Sequence, residues 1–372
     1  MSDYSITAAV VEDPENIAAE WCALAACTDC SYFQSWGWIG NWLRQIAADL
    51  QPLLIKTFHG NEIVGLAIFV RRHVKRRLVI RSNALFLNEY PFDGRDMTME
   101  YNGILTKPTH REAVYKEIFK FLLEADDVLD EIFLGGVVAD TLPLDSLISL
   151  GKQGQTRLQI LEESSTWAVN LREIGAGRDD FLTTLSRNRR TQLRRSLKLY
   201  EKNGPLSLEV APGTDTALMF LDELKQLHTI RWQNAGKQGV FANPVWEQFH
   251  RSLIESRFHT GEIQLLRVRD DNTVIGYLYS LLWRKHVYVL QTGFQMVADK
   301  ALMPGYVVHV LAIEYNRGLG MHFYDLMHGD ELYKQILCSR HRQLVWLVLQ
   351  RPRPRFRIER ALLTVKRNLL PG

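Results

Sequence analysis

The sequence predicts an α+β protein of two similarly organised halves, each a mixed, mostly antiparallel sheet flanked by helices. Three observations carry this expectation. Between Ile263 and Gln350 the chain reads strand, turn, strand, turn, strand, Pro-Gly, helix, strand. The first half repeats that order between Leu53 and Gly136. At equivalent places in the two runs, Asn61-Glu62-Ile63-Val64-Gly65 is echoed by Asn272-Thr273-Val274-Ile275-Gly276. A chain of 372 residues is also long for one hydrophobic core. The expected organisation is a first domain over 1–173, a second over 174–350 and a basic tail over 351–372, joined near the acidic, Gly-containing stretch 174–180.

Each element has a local reason. Leu53 to His59, Glu62 to Val70 and Leu78 to Leu87 are β-branched and apolar runs separated by turns such as Gly60-Asn61. His110 to Ala125 carries apolar residues at helical spacing, and Glu131 to Gly136 reads as the strand that follows. In the second half, Asp270-Asp271-Asn272 and Arg284-Lys285 break three strand candidates, Ile263 to Arg269, Val274 to Trp283 and His286 to Phe294. Pro304-Gly305 opens a helix with Val307, Val308, Leu311 and Ile313 on one stripe, closed by Arg317-Gly318, and His322 to Met327 reads as a strand. A helix starting just after a sheet strand presents free backbone N–H groups and a positive dipole end, which suits a pyrophosphate.

Composition sets the class. Apolar content of 46% and charged content of 23% describe an ordinary globular protein. No stretch has the length of a membrane span, and the N-terminus carries early acids rather than a basic and then apolar signal, so a cytoplasmic location is expected. Cys22, Cys27, Cys30 and Cys338 do not form a secreted framework, and Cys27-x-x-Cys30 lacks a second Cys or His pair, so no metal is expected. Trp36, Trp38 and Trp42 recur with Phe33 at near-helical spacing; a domain core is favoured over an acyl or glycan platform.

The net charge of +3 is unevenly placed. From Arg351 onward seven basic residues face Glu359 alone, which leaves the rest of the chain acidic. That tail alternates Arg with Pro or apolar residues and continues as a basic amphipathic helix, so peripheral contact with the inner membrane face is one expectation and a solubilising tail the other. Phe181 to Gly204 reads as a second basic helix, with Leu182, Leu185, Leu193 and Leu197 inward and Arg187, Arg189, Arg190, Arg194, Arg195 and Lys198 outward. Like charges so crowded repel, which a bound anion or a neighbouring acidic surface would relieve.

The segments SYFQSWGWIGNWLRQI, LSRNRRTQLRRSLK, LHTIRWQNAGKQGVFANP and FYDLMHGDELYKQ resemble bacterial acyltransferases of the CelD/BcsL type, relatives of the FemAB transferases within the GNAT superfamily. The likeness spans roughly residues 30–350, and its most specific parts are RWQNAGKQGVF and the pattern formed by Asp325, Gly329, Glu331, Tyr333 and Lys334. It implies two GNAT-like domains in tandem, with acyl-CoA (acetyl-CoA or longer) as co-substrate on the second. The acceptor would be a small glycan or peptide of the cell envelope or exopolysaccharide pathway. Gln291, Thr292, Gly293, Met303, Gly305 and Tyr306 would then hold the CoA, and backbone N–H groups from Val289 to Gly293 would stabilise the oxyanion. The chain departs from the GNAT pyrophosphate loop, Arg/Gln-x-x-Gly-x-Gly/Ala: Ala301-Leu302-Met303-Pro304-Gly305 has one Gly, and Pro removes an N–H.

Transfer from a thioester needs a base, oxyanion donors and a held donor, but no covalent intermediate. In keeping with this, no Cys-His or Ser-His arrangement and no G-x-S-x-G elbow is evident. The candidate bases are Asp325 within an apolar strand, Glu331, and His228 one turn before Arg231 and Trp232; Tyr333 could protonate the departing thiolate. Arg231, Trp232, Lys334 and Arg190 are the substrate-binding candidates. Two other readings stand beside this one: a Fem-like aminoacyl-tRNA-dependent transferase, which would use the basic helix, and a non-catalytic component of a polysaccharide-synthesis complex. Nucleic acid other than tRNA is disfavoured, because no aromatic-basic ladder is present.

Overall fold

The computed structural model describes residues 3–46, 50–76, 80–89, 99–152, 156–174 and 180–369. The chain forms two compact units, Met1–Glu163 with Gln343–Gly372, and Ser164–Arg342. The expected join over 174–180 lies largely outside the described residues. The observed divisions fall at 163/164 and 342/343, and the chain beyond 342 packs with the first unit.

The first unit begins with β1 (Tyr4–Val10), α1 (Glu15–Ala26) and α2 (Trp36–Leu43), followed by the antiparallel strands β2 (Leu53–His59), β3 (Glu62–Lys75) and β4 (Arg81–Leu87). β5 (Leu105–Thr106) pairs with β3, and α3 (Arg111–Ala125) crosses to β6 (Glu131–Val138), which runs parallel to β4. α4 (Leu144–Lys152) and β7 (Arg157–Asn170) follow. The core of this unit sits between α3 and the sheet, with Val114, Ile118, Phe119 and Leu122 packed against Ile55, Phe69, Leu85 and Ile132. Phe33, Trp36, Trp38 and Trp42 are all buried, so this aromatic set is core.

The second unit takes the last residues of β7 and continues with α5 (Arg187–Tyr200), β8 (Ser207–Val210), α6 (Thr214–Asn234), α7 (Pro244–Arg257), β9 (Ile263–Arg269), β10 (Val274–Trp283), β11 (His286–Phe294), α8 (Pro304–Gly318), β12 (Phe323–His328) and α9 (Leu332–Leu337). Its strand order is β8-β9-β10-β11-β12-β7, and only β11 and β12 are parallel. β13 (Arg340–Gln350) then leaves the unit and pairs with β6, so the first unit reads β1-β2-β3-β4-β6-β13. α10 (Pro354–Leu369) ends the described chain.

The basic helix expected from Phe181 begins later. Residues 181–184 form a 3-10 turn, and Ser186 caps α5 by accepting from the Arg189 N–H. The tail is not free of its unit: Arg353 and Arg355 both pair with buried Asp130, Arg76 pairs with Glu359, and Phe356 is fully buried.

The two sheets repeat each other at the level of register. Where Thr57 and Phe58 pair with Gly65 and Ile63, Val64 is an extra residue; where Arg269 and Val268 pair with Val274 and Gly276, Ile275 is the extra residue. The five-residue echo therefore marks one β-bulge made twice. Each bulge ends on a glycine for a steric reason. A Cβ on Gly65 would stand 2.5 Å from Val114 of α3, and one on Gly276 would stand 2.7 Å from the Gly293 carbonyl and 3.2 Å from Val308 of α8. In each unit the crossover helix rests where that side chain is missing.

Candidate functional site

β11 and β12 pair only through His286↔Phe323, Val287↔Tyr324 and Tyr288↔Asp325. β11 continues to Phe294 against β10, but β12 turns away, with a register break against β7 after Asp325 and Met327 at φ 63°. The sheet is thus forked from Val289 onward. The β10–β11 register also shifts at the fork, because Tyr279 pairs with Gln291 and Ser280 with Val289, leaving Leu290 as an extra residue. Such a bulge re-aims backbone groups where a partner strand departs.

α8 begins beside the open strand. Its N-cap, Met303, is left-handed (φ 44°), Pro304 takes the first helical position, and the Tyr306 and Val307 N–H groups both return to the Met303 carbonyl. A cavity of about 310 Å3 lies here, lined by the end of β11 (Phe294, Gln295, Met296), the start of α8 (Met303 to Tyr306, and His309), Tyr333 of α9 and Arg231 of α6. Mostly apolar walls with a few polar groups are usual for a small-molecule site.

His309 is the group that the sequence reading missed. It is 1% exposed, stacks on Tyr333 at 5.7 Å and stands edge-on to Phe294. Its Nδ1 lies 2.9 Å from the Tyr324 hydroxyl, while Nε2 is buried without a partner. Burial, and then the charges of Lys334 and Arg231, lower its pKa from 6.5 to about 3, so the ring is neutral. Burial raises the pKa values of the Tyr333 and Tyr306 phenols and of the Cys338 thiol, which keeps all three protonated. Cys338 is therefore no nucleophile.

The expected site residues divide. Arg231, Met303, Gly305, Tyr306 and Tyr333 line the cavity together. Gln291, Thr292 and Gly293 lie along β11 just before it, and Gly293 is held so close to α6 that a Cβ would stand 2.6 Å from the Leu224 carbonyl. Asp325 is 1% exposed at the vertex of the fork, 3.2 Å from His286 and accepting from the Met327 N–H at 2.7 Å. Glu331 faces Lys334 at 3.1 Å; burial pushes its pKa up, but the Lys334 charge outweighs that and holds it below the usual value. Buried Lys334 also donates to the His328 carbonyl.

His228 and Trp232 of α6 pack with Phe241 and are not part of the cavity lining. Burial and then Arg231 lower the His228 pKa to about 4. Arg190 donates to the Thr183 carbonyl at the start of α5. Its neighbour Arg189 reaches the α8 opening, 5.4 Å from the Tyr306 ring, and Ser196 of α5 donates to the Leu302 carbonyl.

The first unit has the same fork in a closed form. β4 and β6 pair through Ala84↔Glu131, Leu85↔Ile132 and Phe86↔Phe133. Asn102 then bridges the two strand ends, donating its side chain to the Leu87 carbonyl (2.9 Å) and its N–H to the Gly136 carbonyl (3.0 Å). Asn88 locks it from the other side, donating to Asn102 Oδ1 at 3.1 Å. The strand edges that are open in the second unit are satisfied here by the chain itself.

Among the described residues, no cluster of three or more His, Cys, Asp or Glu could hold a metal ion, and no helix is long and apolar enough to cross a membrane. Comparison with known proteins accords with the forked sheet. Residues 187–335 match the acetyltransferase (GNAT) domain family. FemX superposes with a TM-score of 0.58 at 12% identity, over 88% of this chain and 95% of its own. L-PGS from Bacillus licheniformis gives 0.51 at 11% identity, over 97% and 98%, and a conserved protein of unknown function from Bacteroides thetaiotaomicron gives 0.53 at 9%, over 92% and 100%. No curated protein matches the chain in sequence.

Proposed function

We infer the function from two features taken together: the second unit has the GNAT fold with an acetyltransferase-type domain, and the first repeats its strand order and bulge. We propose that the chain is an acyl-CoA-dependent N- or O-acyltransferase of the CelD/BcsL type, acting on a sugar or peptide of the cell envelope or exopolysaccharide pathway. The carrying observation is the parallel pairing that stops after Tyr288↔Asp325, beside the start of α8. A thioester laid along the free edge of β11 would meet backbone N–H groups from Val289 to Gly293 as its carbonyl gains charge. Its phosphates would face the Gly305 N–H, with Arg189 supplying charge that a loop with one Gly and a Pro lacks.

In the reaction the acceptor lone pair attacks the thioester carbonyl, the C–S bond breaks, and the thiolate leaves toward Tyr333, whose protonated phenol donates a hydrogen bond to it. The acceptor's proton is released to water. Asp325 then serves the geometry of the fork through His286 and Met327 rather than taking that proton directly.

Titration calorimetry with acetyl-CoA, a long-chain acyl-CoA and CoA tests the reading. Micromolar binding of a thioester is expected, and heat from none of the three would refute it. A Fem-like, tRNA-dependent transfer draws support from α5, where Arg187, Arg195 and Lys198 make no ion pair among the described residues. It predicts tRNA binding that survives moderate salt. Peripheral membrane contact through 351–372 has less support, since Arg353 and Arg355 are committed to Asp130.

A further inference from the structure

A buried Tyr and His that share one hydrogen bond have only two ways of arranging their protons. The Tyr324 hydroxyl is fully buried and has His309 Nδ1 as its one hydrogen-bond partner among the described residues. If the imidazole carried its proton on Nδ1, that N–H would donate to the phenol oxygen. The phenol O–H would then find no acceptor, and the Nε2 lone pair would be buried and bare. If the phenol donates to Nδ1 instead, the phenol is satisfied and Nε2 carries the proton. One group is then left wanting a partner rather than two. Each unsatisfied buried polar group is costly, so the arrangement with one of them prevails over the arrangement with two.

That leaves one donor, the Nε2–H of His309, orphaned in a ring that lines the cavity. Nδ1 is occupied by Tyr324, which is not part of the lining, while the His309 ring itself is. We infer that His309 is a neutral hydrogen-bond donor for an oxygen of the bound ligand, namely the carbonyl of the acyl group in transfer, with Tyr324 as the residue that sets its tautomer. The inference rests on the acyl-CoA reading for the identity of that oxygen; the tautomer rests on the structure alone.

The surroundings suit a donor and not a base. The imidazole is faced by Phe294 of β11, Tyr324 of β12, and Tyr333 of α9. The nearby charges are those of Lys334 and Arg231, both positive, and both oppose a second proton on the ring. A neutral imidazole held by a phenol keeps its N–H through the physiological pH range. It would strengthen its bond as the carbonyl oxygen gains charge, and it moves no proton in doing so.

Two measurements on the full chain test this separately. First, 15N spectra of histidine-labelled protein should give a His309 imidazole protonated on Nε2 and unchanged between pH 5 and 8. Tyr324→Phe should convert this signal to a tautomer mixture. A signal protonated on Nδ1, or one that titrates in this range, would overturn the assignment.

Second, calorimetry should compare S-acetonyl-CoA with S-methallyl-CoA, in which a methylene replaces the carbonyl oxygen. Roughly tenfold tighter binding of the ketone is expected, a ratio equivalent to one good hydrogen bond. His309→Phe should cut that ratio by about threefold or more, the remainder coming from the β11 backbone N–H groups, and His309→Gln, which keeps an N–H, should restore part of the loss. A ratio unchanged in His309→Phe refutes the donor role and leaves the acyl-CoA reading standing. Heat from neither compound in the unaltered chain refutes the acyl-CoA reading and, with it, the carbonyl as the partner.

Discussion

Adding one methyl group at each of the two bulge glycines should give different outcomes, because the obstacles differ. In Gly65→Ala the new Cβ would stand 2.5 Å from Val114 Cγ1 and 3.1 Å from Cγ2, both side-chain atoms. In Gly276→Ala it would stand 2.7 Å from the Gly293 carbonyl oxygen, with Phe294 at 2.8 Å and Val308 at 3.2 Å. Overpacking of this kind costs about 1–3 kcal/mol, and the backbone obstacle puts Gly276→Ala at the upper end.

The second-site test separates the two cases. Val114→Ala removes the methyls that Gly65→Ala meets, so the double variant should recover about 1–2 kcal/mol relative to the sum of the singles. Val308→Ala leaves the Gly293 carbonyl in place, so its coupling to Gly276→Ala should stay within about 0.5 kcal/mol of zero. Urea unfolding followed by circular dichroism gives these values from midpoints at constant slope. Full rescue of Gly276→Ala by Val308→Ala would refute the Gly293 carbonyl as the main obstacle there, and a neutral Gly65→Ala would refute the steric reason for the glycine in the first bulge.

Three further outcomes are expected. Burial lowers the pKa values of His228, to about 4, and of His250 and His309, to about 3. The unfolded chain therefore takes up these protons first, and stability present above pH 6.5 is lost as pH falls toward 4, by about 1.4 kcal/mol per pH unit for each histidine. His250→Phe should make that slope shallower, and an unchanged slope would contradict the assignment. Asp130→Ala should destabilise the first unit by about 2 kcal/mol in urea titrations, chiefly by leaving the Asn83 N–H without its acceptor, since the paired arginines are partly exposed. Replacing Arg284-Lys285, a two-residue hairpin turn with both residues at positive φ, by Asn-Gly should stabilise by about 1 kcal/mol in the same assay.

Much of the fold was legible because its signals are local. The meanders, the two crossover helices and the repeated pentapeptide all lie within short windows, and the pentapeptide proved to be a bulge in register terms. β7 and β13 were not foreseen. β7 is half exposed and weakly patterned, and the apolar run of β13 does not by its period distinguish strand from helix. The basic helix begins at Arg187 rather than Phe181: Leu182 and Leu185 continue its apolar spacing in sequence, but Ser186 is the cap.

At the site, the Met303 to Tyr306 segment was readable from Pro-Gly after a strand. His309 was hidden because its neighbours Val307, Val308 and Val310 make it look like one more core position. The one available signal was a polar residue in the middle of an apolar stripe. Asn102 could not be found at all, since its role depends on two strand ends that meet only in the folded chain.

The pairing of β6 with β13 has a consequence for biosynthesis. Residues 340–350 leave the ribosome long after β6 does, so the nascent first unit must wait with one hydrogen-bonding edge exposed while the whole second unit is translated. A stop codon between the end of β6 and residue 340 would leave that edge permanently unpaired, and such fragments should be prone to edge-to-edge association and in need of chaperones.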